Sequence, residues 1–267
     1  RESLLMSEEQ NFVETQFLNA AATHLHQYPG CTPFVAVPRG HQLESIEAFQ
    51  DSPNRIRKAL KVQTPESFIL YFNKFCNDDS MVVLNDDSQS VTGLLDYHGV
   101  AEPSWCEHEV KYACPKSREW DTWTRFNKHK FDQLAFAEFI EENIKDFAEP
   151  SGGELLEIAT KFSVIRTAVF NSGVKLQSGE FEFQFSEQNN SKGTVTVPEK
   201  IAIGIAPFHN GTKYRISARL RYRLRDGELK IWFELIEPEK VLEDAFNEVK
   251  TVIRNGIDKV MMIEAAA

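Results

Sequence analysis

Cysteine and long apolar runs are both scarce in this sequence of 267 residues. Its four cysteines include no Cys-x-x-Cys pair, which indicates reduced thiols and argues against a disulfide framework. No apolar run approaches the ~20 residues that a membrane-spanning helix needs. The first residues lack the apolar segment of a secretory signal. We therefore expect a cytoplasmic protein without a membrane partner.

Positive charge is the minority. Thirty Lys and Arg residues face forty Asp and Glu residues, so the formal net charge is −10. This balance opposes diffuse binding to nucleic acid or to an anionic membrane surface. A role in binding nucleic acid would therefore require a local basic patch.

Signatures of catalysis and of cofactor binding are also lacking. No Gly-rich phosphate loop and no nucleophile elbow occur. We expect no cofactor, no metal and no catalytic residue, and we favour a protein that is not an enzyme. One alternative is a Mg-dependent nuclease, because Asp96, Glu109 and Lys111 imitate an arrangement in which carboxylates hold the metal and the lysine assists the water.

The hydrophobic periodicity predicts an α+β protein. It would have an N-terminal helix, a small antiparallel sheet with helices, and C-terminal long antiparallel hairpins followed by a terminal helix. The predicted helices cover about residues 7–22, 64–76, 131–147, 155–164 and 238–262, with a further one beginning at 117. The predicted strands cover 81–84, 91–96 and 107–113, and a strand near 194–205 bridges two later hairpins. A Pro-Ser-Gly-Gly hinge at 150–153 suggests three parts, namely a helical arm (1–30), an α+β domain (31–150) and a hairpin-rich domain (151–267).

A strict alternation marks the hairpin around residues 213–236. Alternate side chains of a strand point to opposite faces, so one face is apolar and the other is basic. The turn Asp226-Gly227 fits a two-residue type I′ loop, which fixes the register of the two strands. That register sets Arg219 opposite Glu234 and Arg221 opposite Trp232. The basic positions are Lys213, Arg215, Arg219, Arg221, Arg223 and Arg225.

Three interpretations of these basic positions stay open. They could bind a single nucleic-acid strand, because same-face residues recur every ~6.6 to 6.8 Å, near the spacing of backbone phosphates, and Trp232 could stack a base. They could instead form a solvated face that Glu228 and Glu234 neutralise, with Arg221 over the ring of Trp232. Thirdly, they could dock onto an acidic surface of a neighbouring subunit. The negative net charge favours the solvated face.

Two further apolar surfaces stand out. Phe181, Phe183 and Phe185 share one face of a hairpin that turns at Ser178-Gly179, and we expect them to pack in a core or an interface. The terminal helix carries a stripe at spacings of three and four residues, which suits a partner helix and predicts an oligomer interface. Packing of that helix on its own domain is the alternative. The stripe consists of Leu242, Phe246, Val249, Ile253, Ile257 and Val260.

Several segments carry a family resemblance across about residues 30–246. They are 37–40 (VPRG), 66–68 (ESF), 94–98 (LLDYH), 136–143 (FAEFIEEN), 155–160 (LLEIAT), 207–208 (PF), 218–223 (ARLRYR) and 241–246 (VLEDAF). In these the chain resembles the YfdQ-like family of phage and prophage proteins of unknown function. The resemblance implies a protein made inside an infected bacterium, and it brings no catalytic or binding residues.

Taken together, the patterns and the resemblance favour a non-enzymatic phage or prophage protein that self-assembles into a homo-oligomer with a structural or binding role. The main alternative is a protein that binds or anneals single-stranded nucleic acid, such as DNA, through the basic face of the 213–236 hairpin.

Overall fold

A computed structural model describes residues 47, 50–164, 169–186, 192–258 and 260–265 of the chain. The chain divides into two compact units, residues 1–56 and 57–267. In the described part of the first unit, the backbone amide of Asn54 donates to Glu47 Oε1 at 2.9 Å. The predicted N-terminal arm lies outside the described residues.

The described part of the second unit contains twelve strands and five α-helices, which confirms the predicted α+β class. The strands are β1 (Lys58–Val62), β2 (Met81–Asn85), β3 (Ser90–Leu94), β4 (His108–Tyr112), β5 (Phe147–Glu149), β6 (Val169–Lys175), β7 (Phe181–Ser186), β8 (Lys192–Val197), β9 (Lys200–Ile205), β10 (Tyr214–Arg225), β11 (Glu228–Leu235) and β12 (Met261–Glu264). The helices are α1 (Pro65–Phe75), α2 (Arg118–Arg125), α3 (Gln133–Glu142), α4 (Gly152–Val164) and α5 (Pro238–Gly256). No helix among the described residues is long and apolar enough to cross a bilayer.

The first sheet has the strand order β1-β4-β3-β2-β12. Its three central strands form the predicted antiparallel arrangement, and β1 and β12 join its edges in parallel. Helix α1 begins as expected, because Thr64 caps it by accepting from the amide of Ser67 at 3.2 Å and Pro65 occupies the first turn. The ring of Phe72 then packs on the sheet at Gly93, where an added Cβ would lie 2.4 Å from a ring carbon. Helices α1 and α5 share this core.

Two further sheets build the second core. One has the order β11-β10-β9-β5 and the other β6-β7-β8. The ring of Tyr222 joins them, since it lies 5.0 Å from Phe181 and 4.8 Å from Phe183 between ring centroids. On the same inner side, Trp123 of α2 packs 5.0 Å from Phe233 of β11. The predicted core role of the phenylalanine hairpin is therefore confirmed.

Two predicted helices end early. The helix expected over 131–147 ends at Glu142, where the side-chain amide of Asn143 donates to the carbonyl of Phe139 at 2.8 Å. The helix expected to reach residue 262 ends at Gly256, because the residues after it pair with β2 as strand β12. Glycine suits this helix end, since an added Cβ would lie 2.6 Å from Ile69 of α1. Helix periodicity alone does not register a competing strand partner far along the chain.

The strand predicted near 194–205 is in fact two strands, β8 and β9, which join different sheets. Pro198 lies between them, and its missing N–H makes it a poor member of a continuous ladder. The boundary predicted near residue 150 falls inside the second unit. Strand β5 before it pairs with β9 after it, and β12 completes the first sheet.

Candidate nucleic-acid interface

Strand β10 lies between β11 and β9, and its two sides differ sharply in burial. Ile216, Ala218 and Leu220 face inward and are 2% exposed or less. The intervening arginines lie on the outer side and are mostly exposed. Asp226 and Gly227 have φ values of 51° and 80°, as the predicted type I′ turn requires. The predicted register is confirmed: Arg219 faces Glu234, Arg221 faces Trp232, Arg223 faces Lys230, and Arg225 faces Glu228.

Strand β9 adds a basic residue to this surface that the sequence patterns did not predict. Lys200 lies directly opposite Arg219 on the same outer side. Strands β9 and β10 are connected by a loop and not by a tight turn, so the sequence contained no turn motif that predicted their pairing. We call the outer side of β9, β10 and β11 the basic face. It comprises Lys200, Arg215, Arg219, Arg221, Arg223, Arg225, Lys230 and Trp232. The predicted Lys213 is exposed and lies immediately before β10.

Carboxylates neutralise part of the basic face. Arg215 pairs with Glu149 of β5, and Arg225 Nε lies 3.3 Å from Asp226 Oδ2 in the turn. Arg221 Nε lies 3.5 Å from Glu234 Oε2. Because these side chains are largely exposed, each pair contributes at most about 1 kcal/mol to stability. Of the two acids expected to neutralise this face, Glu234 therefore pairs with Arg221 and not with Arg219 opposite it, and Arg225 pairs with Asp226 and not with Glu228.

Two arginines of the basic face differ from the others. Among the described residues, no carboxylate lies within 4.0 Å of the guanidinium groups of Arg219 and Arg223. Arg219 lies between Lys200 on β9 and Glu234 on β11, and Arg223 faces Lys230 on β11. Like charges that face each other across strands destabilise a sheet. The basic face therefore holds two like-charged cross-strand pairs, and none of these four side chains forms an ion pair in the described part of the chain.

The indole of Trp232 is held between these pairs. Its Nε1 donates to Glu234 Oε1 at 3.2 Å, and Lys130 Nζ lies 5.6 Å from its ring centroid. The hydrogen bond from Trp232, followed by the contact with Arg221, lowers the pKa of the Glu234 carboxyl below its usual value. The sequence pattern placed Arg221 over the indole, whereas the structure directs Arg221 to Glu234 and brings Lys130 to the ring. Lys130 precedes the residues that bridge to β11 from the α2–α3 connection.

The proposed nuclease residues do not assemble into a metal site. Both carboxylate oxygens of Asp96 accept backbone N–H groups, from Glu107 at 3.0 Å and from His108 at 2.9 Å. Glu109 and Lys111 lie on β4, on the side opposite the buried His108. No group of three His, Cys, Asp or Glu side chains that could hold a metal occurs within the described ranges. The geometry therefore gives the nuclease alternative no support.

A thiol and an imidazole meet in the loop before β4. Cys106 Sγ lies 3.6 Å from His98 Nε2, while the amide of Ser104 donates to His98 Nδ1 at 2.9 Å. The neutral ring then carries its proton on Nε2 and cannot accept the thiol proton there. Burial, and then Asp96, raise the pKa of the Cys106 thiol. This arrangement opposes a nucleophile–base pair.

The stripe on α5 is occupied by the chain's own core. Phe246, Ile253 and Ile257 are 4% exposed or less and share a core with Phe68 and Phe72 of α1. The remaining stripe residues are partly buried against the same core; they are Leu242, Val249 and Val260. The structure thus matches the alternative interpretation, in which the terminal helix packs on its own unit.

The sequence model of one protein family, described as "Uncharacterized conserved protein (DUF2303)", matches residues 6–263. No curated protein and no solved structure matches the chain.

Proposed function

The chain belongs to the DUF2303 family of uncharacterized conserved proteins, and we propose that it binds nucleic acid through the basic face. The observation that carries the proposal is that Lys200 faces Arg219 and Arg223 faces Lys230 across the strands, and that no ion pair engages these four side chains among the described residues. They lie on an exposed sheet surface of a chain whose net charge is −10. An external polyanion would supply the missing negative charge.

A purely solvated face accounts less well for this arrangement. Such a face gains from alternating signs, as Arg221 and Glu234 illustrate. Placing four basic residues in two like-charged pairs lowers the stability of the fold. Residues that lower stability in this way often serve binding. The acidic remainder of the protein would repel a polyanion elsewhere and so orient it on the basic face.

The biological setting is part of the proposal. The YfdQ-like resemblance of the sequence suggests a phage or prophage origin and a site of action in the cytoplasm of a bacterial host. Support for this setting comes from the resembling segments alone.

Fluorescence anisotropy with labelled oligonucleotides tests the proposal. At about 50 mM salt, we expect the wild-type protein to bind the oligonucleotide. Added salt should release it, because contacts with phosphates displace the counterions of the nucleic acid. The fourfold variant K200Q/R219Q/R223Q/K230Q should lose most of this affinity.

A control outside the basic face is K58Q/K61Q, which removes two exposed charges from β1 of the first sheet. It should bind as the wild type does. Absence of any binding by wild-type protein at this low salt would refute the proposal.

Self-assembly into a homo-oligomer is a second candidate, carried by a different surface from the α5 stripe. Strand β12 lies at the edge of the first sheet as the described residues form it, and its Met261 and Ile263 are 67% and 37% exposed. Ile263 lies beside Val83 on the same side of the sheet. An exposed apolar edge strand is suited to pairing with its equivalent in a second copy.

Mass photometry and light scattering at micromolar concentration test this candidate. We expect a dimer or larger assembly in the wild type and a shift towards monomer in M261E/I263E. A monomer at every concentration would remove self-assembly from consideration.

A further inference from the structure

The basic groups follow a regular order along β10. The first like-charged pair is Lys200 with Arg219. Two residues further along β10, Arg221 lies opposite Trp232. The second pair, Arg223 with Lys230, follows one repeat further. Each repeat of two residues measures ~6.6 to 6.8 Å, so the two pairs lie ~13 Å apart along the strand. Measured along β10, an aromatic ring therefore lies midway between two pairs of basic residues that form no ion pair within the described ranges.

The aromatic ring is positioned before any ligand arrives. The hydrogen bond from Trp232 Nε1 to Glu234 restrains the indole, and Lys130 Nζ lies near the ring. Trp232 is half-buried, and a tryptophan that served only to cover the sheet would not need a carboxylate to orient it. Indole rings in this setting stack readily on nucleobases, and cations near the ring add to the attraction.

We infer that the ligand of the basic face is a single strand, held by one phosphate at each like-charged pair and by one base stacked on Trp232. This inference rests on the proposed function and adds the form of the nucleic acid. The ~13 Å between the pairs is about twice the ~6.6 to 6.8 Å repeat of the strand, so it corresponds to two phosphate steps along an extended strand. Stacking at Trp232 requires a base that is not enclosed in a duplex.

The width of the surface argues in the same direction. At the level of Arg219 and Glu234, four chain segments lie side by side, namely β9, β10, β11 and residues 128–131. With ~4.8 Å between neighbours, their outer axes are ~14 Å apart. The major groove of B-form DNA is only ~12 Å wide, so this surface is too broad to enter it. A flexible strand can instead lie across the surface.

The inference is tested with three ligands of equal length: an oligothymidylate, an abasic strand with the same phosphates, and a duplex. Wild-type protein should bind the oligothymidylate most tightly. Trp232→Ala should weaken that binding by about 5- to 150-fold, which corresponds to the loss of one stacked base. The same variant should bind the abasic strand as the wild type does, because its phosphate contacts are intact. Trp105→Ala is the matched control, since Trp105 is 72% exposed and lies outside the basic face.

The outcomes separate this inference from the proposed function. Equal binding of duplex and oligothymidylate, with no effect of Trp232→Ala, would overturn the single-strand inference while nucleic-acid binding stood. A wild-type preference for oligothymidylate over the abasic strand that survives in Trp232→Ala would also overturn it. Absence of binding to all three ligands would refute the proposed function itself. Self-association that depends on Lys200, Arg219, Arg223 and Lys230, without nucleic-acid binding, would assign the surface to an acidic protein partner. That result would overturn both the single-strand inference and the proposed function.

Discussion

Neutralising one like-charged pair should weaken binding and yet stabilise the fold. Consider R223Q/K230Q, which removes the pair in which no carboxylate lies opposite the arginine. Each phosphate neutralised on a single strand contributes about −0.7 to the slope of log K against log salt concentration, so one phosphate at each of the two pairs gives about −1.4. Between about 50 and 200 mM salt, the wild-type affinity should then fall about 7-fold. The variant retains one of these phosphates, so its slope should be about −0.7 and its affinity should fall only about 3-fold.

The same variant should unfold less readily. Removing like charges that face each other across strands relieves a repulsion of about 0.2 to 1 kcal/mol. Urea denaturation measures this change as a higher midpoint with an unchanged slope. Arg221→Gln is the contrasting control, since it breaks the ion pair with Glu234 and should leave stability unchanged or slightly lower. An unchanged salt slope together with reduced stability in R223Q/K230Q would show that these two residues serve the fold, and the reasoning would fail.

Two other changes test the assignments in the structure. Phe246→Ala should lower the free energy of unfolding by about 3 to 5 kcal/mol in urea, because the ring lies in the core with α1; an unchanged stability with an altered native mass would instead indicate an interface. Glu234→Gln should reduce the difference in stability between neutral and acidic pH. The depressed pKa of Glu234 means that its stabilising effect is present above the ordinary value of 4.5 and is lost as the pH falls through the folded-state value. An identical pH profile in the variant, measured by denaturation at pH 3 and 7, would contradict this.

Local patterns predicted a considerable part of this fold. The Asp226-Gly227 turn and the alternation on either side of it sufficed for the register of β10 with β11, because a two-residue loop permits only one pairing. The start of α1 was equally accessible, since Thr64 and Pro65 act within a single turn of helix. In both cases the interacting groups are close in sequence.

The candidate site was only partly accessible from the same patterns. The arginines and Trp232 were identified by alternation, but their partners were not. Lys200 reaches Arg219 through the pairing of β9 with β10, and Lys130 reaches the indole from a connection that runs along β11. Which basic residues form no ion pair therefore depends on the pairing of strands that no short turn connects, and local sequence patterns do not predict that pairing.

The sequence by itself determined the class of the fold, the two-faced character of β10 and the position of its turn, because these follow from side-chain period and local backbone preference. Only the tertiary structure decided what each surface contacts. The stripe on α5 looks the same in sequence whether it meets a second chain or its own core, and here α1 and the first sheet fill it. Likewise, β12 becomes a strand because β2 offers it a partner about 180 residues earlier in the chain, a gain that local periodicity cannot register.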